Sequence, residues 1–223
     1  MRCTGLIVAA VAFVPFGAGA QVTQFEGTVR GTITAEGMEV DIVQHMKGSK
    51  LRLDMAVPEA GEVSQIMDMQ SGETVMLLHS EKMWMDLSVM QRFMPGMGDG
   101  PTMETEIPQI RETGETDKIA GYDCKYVDLV PEGGETIRVC AASGLGCFIP
   151  GTPAGLNRGE SGSMPGLPQD AERWLEHFAD GFFILSLEGG GASYRASEIR
   201  EGTPEDGLFV PPSDYQEMSI PFE

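Results

Sequence analysis

The chain has 223 residues, of which 41% are hydrophobic and 22% are charged, a composition typical of a globular protein with one domain or two small ones. Its 34 acidic residues against 15 basic ones give a formal net charge of −19. Because so acidic a surface repels phosphate backbones and anionic lipid headgroups, the composition excludes a nucleic-acid-binding protein.

The first twenty residues have the pattern of a secretory signal peptide. Arg2 precedes an apolar run from Leu6 to Phe16, and Ala18 and Ala20 form the small-x-small pattern of a cleavage site. The run is shorter than the roughly 18 apolar residues that a spanning helix needs, and no later stretch reaches that length. We therefore predict a signal peptide over residues 1–20, a mature chain in the periplasm or outside the cell, and no membrane span.

The mature chain begins with short segments in which apolar and polar residues alternate, as they do in half-buried strands. In one segment Leu51, Leu53 and Met55 share one face, while Arg52 and Asp54 point the other way. The segments are FEGTVRGTI (25–33), MEVDIVQHM (38–46), KLRLDMAV (50–57), EVSQIMDM (62–69), ETVMLLH (73–79) and KMWMDL (82–87). They predict a meander of antiparallel strands, followed by a brief helical turn over 88–94 and a Pro/Gly-rich loop over 95–101.

Strands resume with IPQIRETGE (107–115), YDCKYVDLV (122–130) and ETIRVCAA (135–142), which carry two of the three mature cysteines. A loop over residues 131–133 would place Cys124 directly opposite Cys140, within disulfide distance. A two-residue turn at 133–134 would break that register, and a bridge between Cys140 and Cys147 would close only the segment AASGLG. We predict the Cys124–Cys140 disulfide, which an oxidising compartment permits.

The last third of the chain contains the best helical pattern. Residues 144–168 are rich in Gly, Pro and Ser and predict a long loop. In DAERWLEHFADG (170–181), Trp174, Leu175 and Phe178 form an apolar stripe at helical spacing. Two strands are predicted next, over 182–188 and 193–199, and the tail LFVPPSDYQEMSI has too many proline interruptions for a central strand.

About ten antiparallel strands with one apolar face cannot remain a flat sheet. They must curl over that face or cover it with a helix. We therefore predict a mainly β, single-domain fold over residues 21–223. In this fold a curled antiparallel sheet forms an unclosed half-barrel, and the helix around Trp174 covers its concave apolar face.

Three stretches carry a family resemblance: the opening FEGTV, TGETDKIAGYDCKYV (113–127) and LFVPPSDYQEM (208–218). They resemble an uncharacterised family of exported bacterial proteins, a domain of unknown function related in architecture to the lipoprotein carriers LolA and LolB. The resemblance covers most of the mature chain, with 144–168 as an insertion. It implies a concave apolar surface that holds acyl chains or a partner protein, and it supplies no catalytic residues.

Methionine is concentrated in the middle of the chain, with twelve of the fourteen mature methionines between Met38 and Met103. Three interpretations are open. Methionine fills irregular gaps in a core, its flexible thioethers form an adaptable floor for apolar ligands, or they bind Cu(I) together with His79. The copper interpretation is disfavoured, because His79 would have to share a face with Met83 and Met85 across a tight turn.

Enzyme signatures are missing from the sequence, which has no His-Glu-x-x-His, Gly-x-Ser-x-Gly, Walker loop or Cys-x-x-Cys. We predict a protein without catalysis, cofactor or metal that holds a lipid, acyl chain or other apolar ligand. The predicted lining consists of Leu51, Leu53, Met55, Met67, Met69, Met83, Met85, Leu87, Trp174 and Phe178. The alternative is an envelope interaction or stress-sensor module with a closed core that binds another protein.

Overall fold

The computed structural model describes residues 25–35, 37–57, 61–87, 109–131, 134–146, 148, 150 and 181–218. These residues form twelve strands and one short 3₁₀ helix, Asp206–Phe209. The strands are β1 (Gly27–Ala35), β2 (Met38–Lys47), β3 (Lys50–Val57), β4 (Gly61–Asp68), β5 (Thr74–Leu78), β6 (Met83–Asp86), β7 (Gln109–Ile119), β8 (Tyr122–Val130), β9 (Ile137–Ala142), β10 (Phe183–Gly189), β11 (Ala192–Glu201) and β12 (Gln216–Glu217).

All twelve strands belong to one sheet, with the order β12-β6-β5-β4-β3-β2-β1-β11-β10-β9-β8-β7. The first strand, β1, is central and pairs with both β2 and β11. Strands β1 to β11 pair antiparallel to their neighbours, whereas β12 runs parallel to β6. Since β12 and β7 are the two edges and are not paired with each other, the sheet is curled and unclosed.

This architecture confirms the predicted class, a mainly β fold with an unclosed curled sheet. The predicted bounds of β3 and β8 coincide with the observed ones. The eleven predicted segments correspond to β1–β11. The wholly antiparallel pairing is wrong, because the tail adds the parallel strand β12.

Several predictions fall outside the described residues. They are the signal peptide, the helical turn over 88–94, most of the loop over 144–168, and the covering helix with Trp174 and Phe178. Within the described part of the chain, no helical segment has the length and hydropathy to cross a bilayer.

The main core lies on one face of the sheet, which we call the inner face and define by Val29, Ile42 and Leu53. Directly paired residues place their side chains on the same face. Val29 pairs with Gln44, and Gln44 pairs with Leu53, so these three residues share one face. Ile42 lies two residues before Gln44 on β2 and therefore points to the same face. The core cluster combines residues of β1–β3 with residues of β8–β11. Aromatic rings reinforce it: Phe183 has its ring centroid 4.9 Å from that of Phe25 and 4.7 Å from that of Phe148.

A smaller cluster lies on the opposite, outer face of β4–β6. Ile66 and Leu77 are buried there against Phe209, with Trp84 and Tyr215 packed around them. Phe209 and Tyr215 belong to the C-terminal tail, residues 203–218, so the tail covers this part of the outer face. The exclusion of the tail from the centre of the sheet agrees with its proline content.

The β8–β9 hairpin carries the predicted disulfide. Cys124 and Cys140 are bonded, with Cα atoms 5.5 Å apart. The predicted register is wrong, however, because Cys140 pairs with Tyr126 and the last rung joins Leu129 to Ile137. Pro131 has no N–H to extend the ladder, so the loop is longer than expected and the disulfide runs diagonally between the strands.

Candidate ligand-binding face

Long apolar side chains make up most of the inner face of β3–β6, where Gln65 and Thr74 also lie, and methionine predominates among them. We call this surface the methionine patch. Pairing across the four strands aligns its members in rows, since Leu51 pairs with Met67, Met76 with Met85, and Leu78 with Met83. The patch comprises Leu51, Leu53, Met55, Met67, Met76, Leu78, Met83 and Met85.

Burial within the methionine patch is uneven, since Leu51 and Met55 on β3 are half-buried whereas Leu53 between them is buried. Leu53 and Met67 are each only 5% exposed. The patch residues of β5 and β6 are half-buried: Met76, Leu78, Met83 and Met85. These side chains therefore present apolar surface that a contacting group would remove from water.

Six of the predicted lining residues share this face by register: Leu51, Leu53, Met55, Met67, Met83 and Met85. Met69 follows the end of β4, where its N–H donates to the Ser49 carbonyl at 2.8 Å, and Leu87 follows the end of β6. Both are half-buried. Sequence reasoning missed Met76 and Leu78, because residues 75–78, VMLL, are apolar on both faces and alternation cannot select one.

Two buried polar groups lie on the same inner face, next to the patch. Gln44 is 1% exposed and pairs directly with Leu53, a patch member. Tyr194 is 4% exposed and pairs with Ile33, on the Val29 face of β1. Among the described residues neither the Gln44 Oε1 atom nor the Tyr194 hydroxyl has a hydrogen-bond partner. Burial raises the pKa of the Tyr194 phenol, so the hydroxyl is neutral and can donate or accept.

The outer face of β3–β5 carries a polar network centred on Asp54 and Ser64. Ser64 Oγ donates to Asp54 Oδ1 at 2.5 Å, accepts from Arg52 Nη2 at 3.1 Å and lies 2.6 Å from His79 Nε2. The tail joins the network, since Arg52 Nη1 donates to the Leu208 carbonyl at 3.0 Å. The network therefore ties the tail to the sheet.

The acidity of Asp54 reflects this network. Burial by itself would raise the pKa of the Asp54 carboxyl. Hydrogen bonds from His45, Ser64 and Arg52, together with the charge of Arg52, outweigh burial and lower the pKa to about 2. The carboxylate is therefore ionised at neutral pH and fully partnered.

The contact between Ser64 and His79 has the residue types of a nucleophile and its base, but not their environment. Ser64 is 1% exposed, and its hydroxyl is already shared with Asp54 and Arg52. The second ring nitrogen of His79, Nδ1, lies 2.6 Å from the Tyr215 hydroxyl. The Ser64 hydroxyl is therefore held by its neighbours and not free to attack a substrate, so we assign the cluster a structural role.

The contacts of His79 also bear on the interpretation that the methionines bind Cu(I) together with this histidine. Both ring nitrogens of His79 are engaged on the outer face, whereas Met83 and Met85 lie on the inner face. The histidine and the thioethers are thus on opposite sides of the sheet. The described residues also contain no group of three or more His, Cys, Asp or Glu side chains arranged to hold a metal ion.

Comparison with protein families places the chain in one of them. Residues 25–215 match DUF4412, a domain of unknown function. The chain belongs to the DUF4412 family. This assignment confirms the predicted resemblance to an uncharacterised family. No curated protein matches this DUF4412 protein.

Solved structures similar to this DUF4412 protein are distant. An uncharacterized conserved protein from Thermus thermophilus has 10% identity and a TM-score of 0.48, over 86% of this chain and 90% of that one. The MucA/MucB complex of Pseudomonas aeruginosa has 10% identity and a TM-score of 0.44, over 91% and 61%. PNGF-II has 15% identity and a TM-score of 0.40, and the match covers 86% of this chain and 30% of that chain. Similarity at this level carries no argument about ligand or activity.

Proposed function

We propose that this protein is a non-enzymatic binding module of the cell envelope, which holds a lipid, acyl chain or other apolar ligand on the methionine patch. The observation that carries the proposal is the row of half-buried methionine and leucine side chains on the inner face of β5 and β6. Unbranched thioether side chains adapt to ligands of different shape. The patch therefore suits a flexible apolar chain.

The outer face of β4–β6 is covered by the tail and the inner face carries the methionine patch, and this difference supports the proposal. On the outer face the tail packs Phe209 against Ile66 and Leu77 and completes a small core. An apolar ligand would therefore contact these strands on the inner face. The predicted helix with Trp174 and Phe178 would cover the ligand from the other side.

An envelope location is supported by the buried Cys124–Cys140 disulfide and by the predicted signal peptide. The family assignment specifies no ligand. The absence of enzyme motifs from the sequence supports binding over catalysis.

Titration with N-phenyl-1-naphthylamine, a neutral apolar fluorescent probe, tests the proposal. We expect the wild type to bind the probe and Met85→Gln to bind it roughly tenfold more weakly, because the substitution places an amide in an apolar contact. Met38→Gln is the matched control, since Met38 is 55% exposed at the β1–β2 turn. Native mass spectrometry of protein from its own envelope should show a co-purified lipid. A wild type that does not bind the probe and purifies without ligand contradicts the proposal.

The alternative, an interaction or sensor module, is favoured by a different feature. Strand β7 is an edge strand of eleven residues, and its outer edge is unpaired among the described residues. Such an edge can accept a strand from a partner protein. Failure to bind the probe, combined with cross-linking of an envelope protein to a photoreactive group at position 112, would favour this function.

A further inference from the structure

Among the described residues, the inner face combines an apolar surface with two buried polar atoms that lack hydrogen-bond partners. Buried polar groups are nearly always hydrogen-bonded in native proteins, and each exception requires an explanation. Here the two exceptions, Gln44 Oε1 and the Tyr194 hydroxyl, are on the same face of β2 and β11, the two strands that flank β1. Their occurrence together indicates one polar site.

The geometry of β1 brings the two groups towards each other. Gly31 lies between them on β1, and a Cβ atom at Gly31 would be 2.5 Å from Cε2 and 3.0 Å from Cζ of Tyr194. The tyrosine ring therefore lies across β1 in the space that a side chain would fill. Cζ, the ring carbon that bears the hydroxyl, thus lies next to β1, whose other neighbour, β2, carries Gln44.

We propose that Gln44 and Tyr194 form a head-group site for a neutral, single-chain amphiphile whose chain lies on the methionine patch. Gln44 Oε1 accepts a hydrogen bond from an N–H or O–H donor of the head group. The Tyr194 hydroxyl donates to its carbonyl oxygen. A primary amide satisfies both atoms, and Leu53, the neighbour of Gln44, begins the surface for the chain.

Charge decides against an ionised head group. The buried polar side chains are Gln44, Ser64, Thr74 and Ser186, so no buried cation is available among the described residues to neutralise a carboxylate. The formal charge of −19 further disfavours an anionic ligand. A neutral amide neither buries an unpaired charge nor is repelled by the acidic protein.

The inference rests on the proposed function. It is tested by displacing N-phenyl-1-naphthylamine with ligands that have the same chain length and different head groups. We expect dodecanamide to bind more tightly than dodecanoate. We expect Tyr194→Phe and Gln44→Met each to weaken dodecanamide roughly tenfold, because each removes one hydrogen bond, and to leave dodecane unchanged. Both substitutions preserve side-chain volume, and thermal unfolding without ligand should show Tyr194→Phe at least as stable as the wild type.

The outcomes separate the two proposals. If the wild type binds the probe and dodecane, and the wild type and both variants bind dodecanamide equally well, the apolar site is retained and the head-group site is overturned. The same conclusion follows if each variant weakens dodecane and dodecanamide equally, or if Tyr194→Phe lowers stability because it loses a bridging water. A wild type that binds neither probe nor dodecane overturns the proposed function itself.

Discussion

At the residue scale, the lack of a side chain at Gly31 determines how Tyr194 packs on the inner face. Its place in the middle of β1 opposes the usual preference of strands for β-branched residues. The ring of Tyr194 occupies the vacated space and joins the aromatic group around Phe148, whose centroid is 6.4 Å away. A glycine that weakens the strand locally therefore allows the face to accommodate a tyrosine.

Substitution of Gly31 by alanine tests this packing. The new methyl carbon would lie 2.5 Å from Tyr194 Cε2 and 2.8 Å from the Arg195 carbonyl oxygen, so ring or backbone must shift. We expect Gly31→Ala to lower the free energy of unfolding by about 1–3 kcal/mol in urea denaturation. Gly207→Ala is the control, because no atom lies within 4 Å of the added carbon, and it should change stability by less than about 0.5 kcal/mol. Equal stability of the two variants would refute the packing.

A pH dependence follows from Asp54. Its pKa is lowered from 3.8 to about 2 in the folded protein, so the folded state favours the ionised form. The resulting stability is fully present above about pH 4 and is lost as the pH falls to about 2. We expect the wild type to exceed Asp54→Asn by about 1–2 kcal/mol at pH 7, after allowance for solvent screening, and the difference to disappear near pH 2.

Urea denaturation of both proteins between pH 7 and pH 2 measures this difference. Asp123→Asn, at an exposed position on β8, supplies the matched control. A gap between wild type and Asp54→Asn that stays constant over the whole pH range would show that the stabilisation does not come from the ionised carboxylate.

At the scale of elements, the C-terminal tail acts as a strap over the outer face. Its short 3₁₀ helix inserts Phe209 against Ile66 and Leu77, and β12 continues the sheet beyond β6 through hydrogen bonds such as Gln216 N–H to the Lys82 carbonyl at 2.9 Å. The strap thus covers both a face and an edge.

Removal of the Phe209 ring should show how much the strap contributes. We expect Phe209→Ala to lower the free energy of unfolding by about 3 kcal/mol, since it leaves a cavity beside Leu77, a fully buried residue. Val210→Ala changes the next residue, which is 50% exposed, and should have an effect below about 0.5 kcal/mol. The role of the strap would be disproved by a Phe209→Ala protein as stable as Val210→Ala.

The elements also show what the sequence can and cannot predict. Strand β3 was predictable because polar and apolar residues alternate within it, and both β3 and β8 follow a turn glycine, Gly48 and Gly121. The β8–β9 register was not, since two glycines and a proline allow several loops. The contact of Phe209 with Leu77 was equally hidden, because it joins segments far apart in the chain. Gln44 interrupts an apolar series on β2, and only the folded neighbours reveal its burial.

At the scale of the whole molecule, acidic residues outnumber basic ones by 34 to 15. Ion pairs such as Arg111–Asp128 and Lys82–Asp214 each join one acid to one base, so they leave the acidic excess unpaired. Mutual repulsion of the remaining carboxylates destabilises the compact state.

Salt should therefore stabilise the protein. The Debye length falls from roughly 30 Å at 0.01 M to about 8 Å at 0.15 M ionic strength, which screens repulsion across the surface. We expect the Tm at neutral pH to rise by a few degrees, about 2–4 °C, as sodium chloride is raised over this range. An equal osmolality of sucrose distinguishes screening from solute exclusion, and a flat or falling Tm in salt would show that local ion pairs outweigh the net charge.

The central position of β1 also has a temporal consequence. This strand, the first of the described strands, needs β2 on one side and β11 on the other, and β11 spans residues 192–201. Until those residues have been synthesised, β1 has one open edge and the nascent chain cannot complete its sheet. The sheet therefore cannot be completed before β11 has been synthesised, and a product that ends before β11 would expose the unpaired edge of β1.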